Sequence, residues 1–445
     1  MKRKTVSLCI MTYNDEHVIG MAIKSCLALS DEVIVVDLGS RDNTRLVAEG
    51  YGARVLEHTF NGDYAAVRNL ALDEASCEWA LMLNSNEVFS KIRPVDFQRL
   101  LDADVGGYNI DIVSDKTGQT VSVVENLRLF RLDSRVRYKY PARERIDYSF
   151  RKWQSVTGFD DIEDTDRVKI IQDTSRTVGI SNDRGHIIHL LRKGLLTNPE
   201  EPYFEYAIAC ETIVEVEGEV LPVSSISFSL TDLEKSWQKI LTLAPKERMQ
   251  LDYLPNLMIK LAACYLASGQ IQSAWQITSK ALESYPENAF IQLQYVAVGV
   301  AYLREVIKDH HDPAAQPWEE QLLAVIRLLE QSRVDDKYVA RYSGELALFR
   351  GEVDIARDCF RVAMSADINY SYAWLGLAQC QMYLGETNKA IQLYLEATQR
   401  NEDNYRAWLQ GSNLLEEIGF ANNAAAWRSL VASKFPRLAE SSASG

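Results

Sequence analysis

Apolar residues come first in short blocks and later at helical spacing, and that change divides the chain. Val6 to Met11, Val33 to Asp37, Arg54 to His58 and Trp79 to Leu83 are compact β-prone runs, each followed by a polar break. Between them helical spacing runs from about Asp15 to Ala28, onward from the capping pair Asp42-Asn43, and from Tyr64 to Ala75. Short strands alternating with helices predict a parallel sheet covered on both faces, the α/β class. Past residue 105, Tyr108 to Val113 and Thr120 to Arg131 predict strands that complete a mixed sheet. Residues 151–185 carry the acidic run Asp160, Asp161, Glu163, Asp164, Asp166 with weak periodicity; a surface insertion or lid is the reading, a structured subdomain the alternative. From His186 the pattern is helical up to residue 438, and the small, polar residues 439–445 read as a disordered tail.

The helical part repeats. Gly344, Ala378 and Ser412 lie 34 residues apart, as do Gly351, Gly385 and Gly419, and Ala356, Ala390 and Ala424. Phe360 and Tyr394, Ala363 and Ala397, and Trp374 and Trp408 keep the same interval. A small residue on a first helix, glycine at the turn and alanine-aromatic-alanine on a second resemble the tetratricopeptide repeat. Each such helix pair must stack on a neighbour to bury its apolar face, which implies an all-α solenoid. An earlier unit with Ala262, Gly269, Ala274, Ala281 and Pro286 is out of phase, so residues 288–338 are expected to hold a divergent or lengthened pair.

Composition narrows the classes. A formal net charge of −14 without a basic stripe points away from nucleic acid. The seven scattered cysteines form no C-x-x-C pair and read as buried thiols in a reducing cytoplasm. The first apolar run is too short for a secretory core, and no apolar run approaches the roughly 20 residues of a membrane span. A cytoplasmic chain without a membrane span is the expectation.

In open α/β sheets ligands bind beyond the carboxyl ends of the strands. Four segments stand there: Thr12-Tyr13-Asn14-Asp15-Glu16, Asp37 to Thr44, Asp63 to Asn69, and Asn84-Ser85-Asn86-Glu87. Tyr13 offers a ring face for a base, Asp37 can accept from uracil N–H or ribose hydroxyls, and Arg68 can take diphosphate oxygens. In this order the segments resemble family 2 glycosyltransferases with the GT-A fold, in the bacterial branch joined to tetratricopeptide repeats that includes peptide S-glycosyltransferases. The likeness covers about residues 5–145. It implies a Rossmann-like mixed sheet over residues 1–150 and a nucleotide-diphospho-sugar donor, UDP-linked first. Thr12, Tyr13, Asn14, Glu16, Asp37, Asp42, Arg68, Asn69, Asn84 and Asn86 would form the donor site. It also implies inverting transfer to a protein or peptide held by the repeats, with a homo-oligomer or a paralogue as a further candidate partner.

Two departures from the family pattern bear on the chemistry. Relatives end the fourth strand with Asp-x-Asp, which holds a divalent metal, Mg or Mn; here Asn84-Ser85-Asn86 leaves Asn86 as the candidate ligand beside Glu87. Relatives follow Arg-Leu-Phe-Arg, present as Arg128 to Arg131, with His-Glu; here Arg143-Glu144 takes that place. Three readings stay open: Arg143 replaces the metal in neutralising diphosphate, the chain is a non-catalytic relative serving as a repeat-based scaffold or regulatory partner, or Arg143 and Glu144 merely pair. If catalysis is retained, Glu144 is the first candidate general base and Glu87 the second. The six histidines show no metal-ligand spacing.

Overall fold

The computed structural model describes residues 3–116, 119–159, 162–173, 183–216, 219–220, 226–248, 250–332 and 334–435. They fall into two compact units, residues 1–204 with 244–252 and residues 205–243 with 253–445.

The first unit begins as a βα alternation: β1 (Val6–Thr12), α1 (Ile19–Cys26), β2 (Glu32–Asp37), α2 (Thr44–Gly50), β3 (Arg54–Glu57), α3 (Tyr64–Glu74) and β4 (Trp79–Asn84). It continues through β5 (Glu87–Phe89), α4 (Pro94–Leu101), β6 (Gly107–Lys116), β7 (Gln119–Arg131), α5 (Asp147–Thr157), β8 (Glu163–Asp173) and α6 (Arg184–Thr197). The eight strands form one sheet in the order β3-β2-β1-β4-β7-β6-β8-β5. The first four are mutually parallel, and β7 is antiparallel to both β4 and β6. Every residue of β1 is buried, as the near-continuous apolar run VSLCIMT requires of a strand covered on both faces. Val6, Leu8 and Ile10 share a core with Ile19 and Ile23 of α1, Trp79 and Leu81 of β4, and Tyr108 and Ile110 of β6. The carboxyl ends of β1, β2 and β4 thereby lie side by side.

The segment expected as an insertion or lid is instead part of the sheet. β8 pairs parallel with β6 and antiparallel with β5, and Val168 and Ile170 point into the core while Lys169 and Ile171 are exposed. The acidic run hides this strand because its charges stand at the strand's beginning, ahead of the alternating apolar residues. Residues 174–182, also within that expected lid, lie outside the described residues.

Helix α7 (Tyr203–Thr212) begins with two residues of the first unit, and the second unit continues from it to the small hairpin β9 (Glu215–Val216) and β10 (Glu219–Val220), then to α8 (Ile226–Thr242). The short helix α9 (Pro245–Arg248) lies in residues assigned to the first unit. Helical hairpins follow: α10 (Leu254–Ala267) with α11 (Ile271–Ser284), and α12 (Ala289–Tyr302) with α13 (Gln316–Leu329). The last three are α14 (Asp336–Phe349) with α15 (Val353–Ala366), α16 (Ser371–Tyr383) with α17 (Thr387–Arg400), and α18 (Tyr405–Glu417) with α19 (Ala421–Lys434). Gly351, Gly385 and Gly419 turn these last hairpins at φ of 74°, 72° and 90°, a backbone state that side chains with a Cβ rarely adopt. The α12–α13 pair is lengthened by a π-helical turn, Leu303–Ile307, and a long connection, which accounts for the phase break before Gly351.

One stretch, Ala289–Ile307, is long and apolar enough to cross a membrane by length and composition. No single apolar run announces it, because α12 continues into the π-turn. Its Tyr295, Val296, Val300 and Leu303 pack with Leu322, Val325 and Ile326 of α13, the behaviour of a core helix. The tail 439–445 lies outside the described residues.

Candidate functional site

A polar seam runs across the carboxyl ends of β2, β1 and β4. The buried Asp15 carboxylate accepts from Thr12 Oγ1 at 2.8 Å, from Tyr13 N at 3.1 Å and from Ser85 Oγ at 2.6 Å, joining the β1 loop to the β4 loop. Asn14, left-handed at φ 53°, donates its N–H to Ser40 Oγ and accepts from Arg41 N, both at 2.8 Å. Asp37 is fully buried, accepts from Ser40 N at 3.0 Å and from Ser40 Oγ, and faces Arg45 Nε at 3.7 Å. Asp42 accepts from Thr44 N at 3.0 Å and from Glu16 N at 3.2 Å; burial alone would raise its pKa, but these bonds hold it below the usual carboxylate value. Glu16 accepts from Asn43 N and Nδ2, both at 2.9 Å.

The seam therefore brings together Thr12, Asn14, Glu16, Asp37 and Asp42, in roles that hold the loops. Tyr13 stands half-buried beside it. The sequence reading missed Ser40, Thr44 and Ser85 and gave Asp15 no role. For Asp15, Ser40 and Ser85 the signal is a hydroxyl or carboxylate one to three residues past a strand end, and for Thr44 a hydroxyl at the first residue of α2.

The fourth strand ends on a second network. Asn84 donates its N–H to Glu87 Oε2 at 2.7 Å and its Nδ2 to Glu87 Oε1 at 2.9 Å, while its Oδ1 accepts from Arg68 Nη2 at 2.9 Å. Both carboxylate oxygens of the fully buried Glu87 also accept from Arg128, at 3.1 and 3.0 Å. An aspartate at position 84 would lose the donor facing Glu87 and set two like charges against each other. The amide is thus matched to its neighbours.

This arrangement does not fit a divalent cation, which takes hard oxygen ligands. Glu87 is enclosed by Asn84 and Arg128, and the Asn84 oxygen is committed to Arg68. Asn86 alone is left of the expected ligands, and the described residues hold no cluster of three His, Cys, Asp or Glu suited to a metal. Glu87, expected as the second candidate base, is instead buried inside an ion pair that braces the loop.

Arg68 is the centre of the site. Its side chain is buried, with Nε 2.6 Å from Glu144 Oε1, and its guanidinium carbon lies 5.4 Å from the Tyr138 ring centroid. Burial works against its charge, yet Glu144 and other neighbours raise its pKa further above the ordinary arginine value. Its Nη1 is buried with no hydrogen-bond partner among the described residues. Asn69, next along α3, exchanges two bonds with the Tyr138 backbone, at 2.9 and 2.8 Å, so it anchors the loop bearing Glu144.

That loop is a tight excursion closed by reciprocal Lys139 and Arg145 backbone bonds. Tyr140 and Arg143 adopt φ of 74° and 52°, a costly state for residues with a Cβ and one that clusters at functional loops. Tyr203 holds the excursion, its hydroxyl donating to the Arg143 carbonyl and its ring stacked on Tyr140 at 3.9 Å. A cavity of about 300 Å³ opens here, lined by Arg68, Asn126, Arg128, Arg143, Glu144 and Arg145 among others. Arg68, Arg143 and Glu144 of the expected site share it, whereas Tyr13, Asp37 and Asn86 are not among its lining residues.

Residues 7–147 match the family model "Glycosyl transferase family 2". A TPR repeat-containing protein of Synechococcus elongatus is 30% identical over 145 residues, 32% of this chain and 36% of that protein. An uncharacterized glycosyltransferase of Rickettsia bellii is 36% identical over 88 residues, 20% of this chain and 30% of that one. The glycosyltransferase AglJ of Haloferax volcanii is 31% identical over 116 residues, 25% and 36% of the two chains. The chain spans about a third of the length of these curated relatives. Among solved structures, a TPR protein of Thermus thermophilus is 15% identical with a TM-score of 0.34, covering 44% of this chain and 97% of its own. PilW, a type IV pilus biogenesis factor, is 15% identical with a TM-score of 0.35, covering 53% and 94%. A family 2 glycosyltransferase domain of GT-A-like fold is present at the N-terminus, and an all-α repeat region follows it.

Proposed function

We propose that this chain transfers a sugar from a nucleotide-diphospho-sugar, UDP-linked first, to a protein or peptide acceptor, and that arginine side chains carry the diphosphate charge in place of a metal. One observation carries the reading: Arg68 stands in a cavity with Arg128, Arg143 and Arg145, and its buried Nη1 has no hydrogen-bond partner among the described residues. A buried donor left unmatched costs about 1–3 kcal/mol, a cost that an anionic ligand removes. Guanidinium groups suit phosphate oxygens because they offer paired donors in one plane. The amide at Asn84, matched on both sides, favours an adapted site over a decayed one.

In this reading Glu144 takes the proton of the acceptor hydroxyl or thiol. The freed oxygen or sulfur attacks the anomeric carbon from the face opposite the diphosphate, the bond to diphosphate breaks, and the nucleoside diphosphate departs against the arginines with inversion at that carbon. The seam around Asp15, Asp37 and Asp42 sets the loops that receive the nucleotide. A cytoplasmic location accords with the scattered cysteines, none of them in a disulfide. The capture of Glu144 by Arg68 supports a second reading, a donor-binding partner without turnover.

Transfer and donor hydrolysis measured with a panel of nucleotide-sugars, with and without chelator, separate these readings. Turnover insensitive to chelator and reduced in Arg143→Ala supports the enzyme; nucleotide binding without turnover under any metal supports the regulatory partner.

A further inference from the structure

The excursion that carries Glu144 ends on an arginine shared by two acids. Arg145 Nη2 is held by the Asp252 carboxylate and lies 3.4 Å from Asp147 Oδ2. Asp147 opens α5, whereas Asp252, 107 positions further along than Arg145, comes from residues 244–252 of the first unit. The Asp252 side chain is 7% exposed against 24% for Asp147.

One guanidinium nitrogen between two carboxylates leaves a negative charge in excess, and the more enclosed acid bears the greater desolvation cost. Burial pushes the Asp252 carboxyl up to about 6 from an ordinary 3.8; Arg145 of the excursion and Arg151 of α5 oppose the rise, and Asp147 adds to it. Arg145 and Asp147 line the cavity of about 300 Å³ together with Arg68 and Arg143, but Asp252 is not among its lining residues. Asp252 therefore reaches a ligand there through Arg145. A phosphate oxygen entering the cavity competes with the two carboxylates for the same charged donors.

We propose that Asp252 is a positioning residue of the diphosphate site: while charged it withholds Arg145 from the ligand, and on taking up a proton it releases the guanidinium to a phosphate oxygen. The exchange balances. The Asp252 carboxylate gains one proton from solvent, its ion pair with Arg145 opens, and Arg145 makes a charge-assisted bond to phosphate, with no covalent bond to carbon or phosphorus made or broken. The inference rests on the nucleotide-diphosphate reading above and adds to it that binding is coupled to a proton held outside the cavity wall.

The test titrates UDP into the full chain by calorimetry at about pH 7.5 and about pH 5.5, either side of the Asp252 value. At the higher pH the Asp252→Asn chain should bind UDP about tenfold more tightly than the wild-type chain, and at the lower pH the two should agree within about twofold, because apparent affinity scales with the fraction of Arg145 released. Ionisation of UDP itself is common to both chains and cancels in that ratio. A residue that merely braced the fold would, when replaced, weaken binding at both pH values. In an Arg145→Gln background, Asp252→Asn should change the affinity by less than about twofold, since the group it acts through is gone. Wild-type binding without a gain in Asp252→Asn at the higher pH, a gain undiminished at the lower pH, or an equal gain in the Arg145→Gln background overturns this inference alone. No UDP binding by any of these chains overturns the nucleotide reading together with it. If Asp252→Asn does not fold, Asp252→Ser, smaller and also uncharged, is read against the same outcomes.

Discussion

Arg68 Nε and Glu144 Oε1 lie 2.6 Å apart, a pair that ties α3 to the strained excursion between Lys139 and Arg145. Neither residue is extensively exposed, so each sets the other's charge and position. If Glu144 is the proton acceptor, Glu144→Gln should lower kcat by about a hundredfold or more while leaving the donor KM within about threefold, since the amide keeps the shape and removes the base. Steady-state kinetics on a transferable donor read this; an unchanged kcat would assign the base elsewhere.

Glu87→Gln should destabilise the fold rather than touch the chemistry selectively. It removes the charge that matches the half-buried Arg128 at a carboxylate that is itself fully buried, and breaking a buried pair costs up to about 3–5 kcal/mol. Urea denaturation checks the loss. A stable variant with intact midpoint and abolished transfer would mean that Glu87 acts on substrate.

Chelator is expected to leave activity unchanged, because Asn84 and Glu87 are both committed within the protein. Transfer assayed before and after exhaustive EDTA dialysis checks this, and recovery only on adding Mg or Mn would restore the metal to the mechanism.

Glu219 gives the helical unit an acid limit. Burial would raise its pKa, but Arg341 and Arg406, with the Tyr372 hydroxyl, hold it at about 2 against an ordinary 4.5. A depressed carboxyl stabilises the fold above its unfolded value and loses that contribution as pH falls through the folded value. The wild-type melting temperature should therefore drop more steeply than that of Glu219→Gln between pH 4.5 and about 2. Parallel curves in that window would contradict it.

Gly376→Ala should destabilise the repeats by about 1–3 kcal/mol, the usual cost of overpacking. An added Cβ would strike the ring of Phe360, which is fully buried and closely packed. A thermal melt of the purified variant tests it against Gly50→Ala, where a Cβ meets nothing within 4 Å.

The strands β1 to β4 were legible because each is a short apolar or β-prone run ending in a polar break, and the last three helix pairs because glycines at positive φ recur every 34 residues. β8 was not, since its alternation starts behind five acidic residues. Within the site, Arg68, Arg143 and Glu144 could be named from resemblance, but their relation could not. Arg68 and Glu144 are 76 positions apart, and Arg128 and Glu87 are 41 apart, so only the folded sheet shows that Glu144 meets Arg68 and that Glu87 is enclosed. The match of the Asn84 amide to both Glu87 and Arg68 was equally hidden, and it turns an apparent loss of ligands into a consistent network.

Calorimetric titration of UDP into the full chain in EDTA, alongside Arg68→Gln, tests the central claim most directly. Binding should be the same with and without chelator and weaken by about ten- to a hundredfold in the variant, as loss of a charge-assisted contact worth about 1.5–3 kcal/mol requires. Binding that appears only with Mg or Mn, an Arg68→Gln chain that binds as well as the wild type, or no nucleotide binding at all would contradict it.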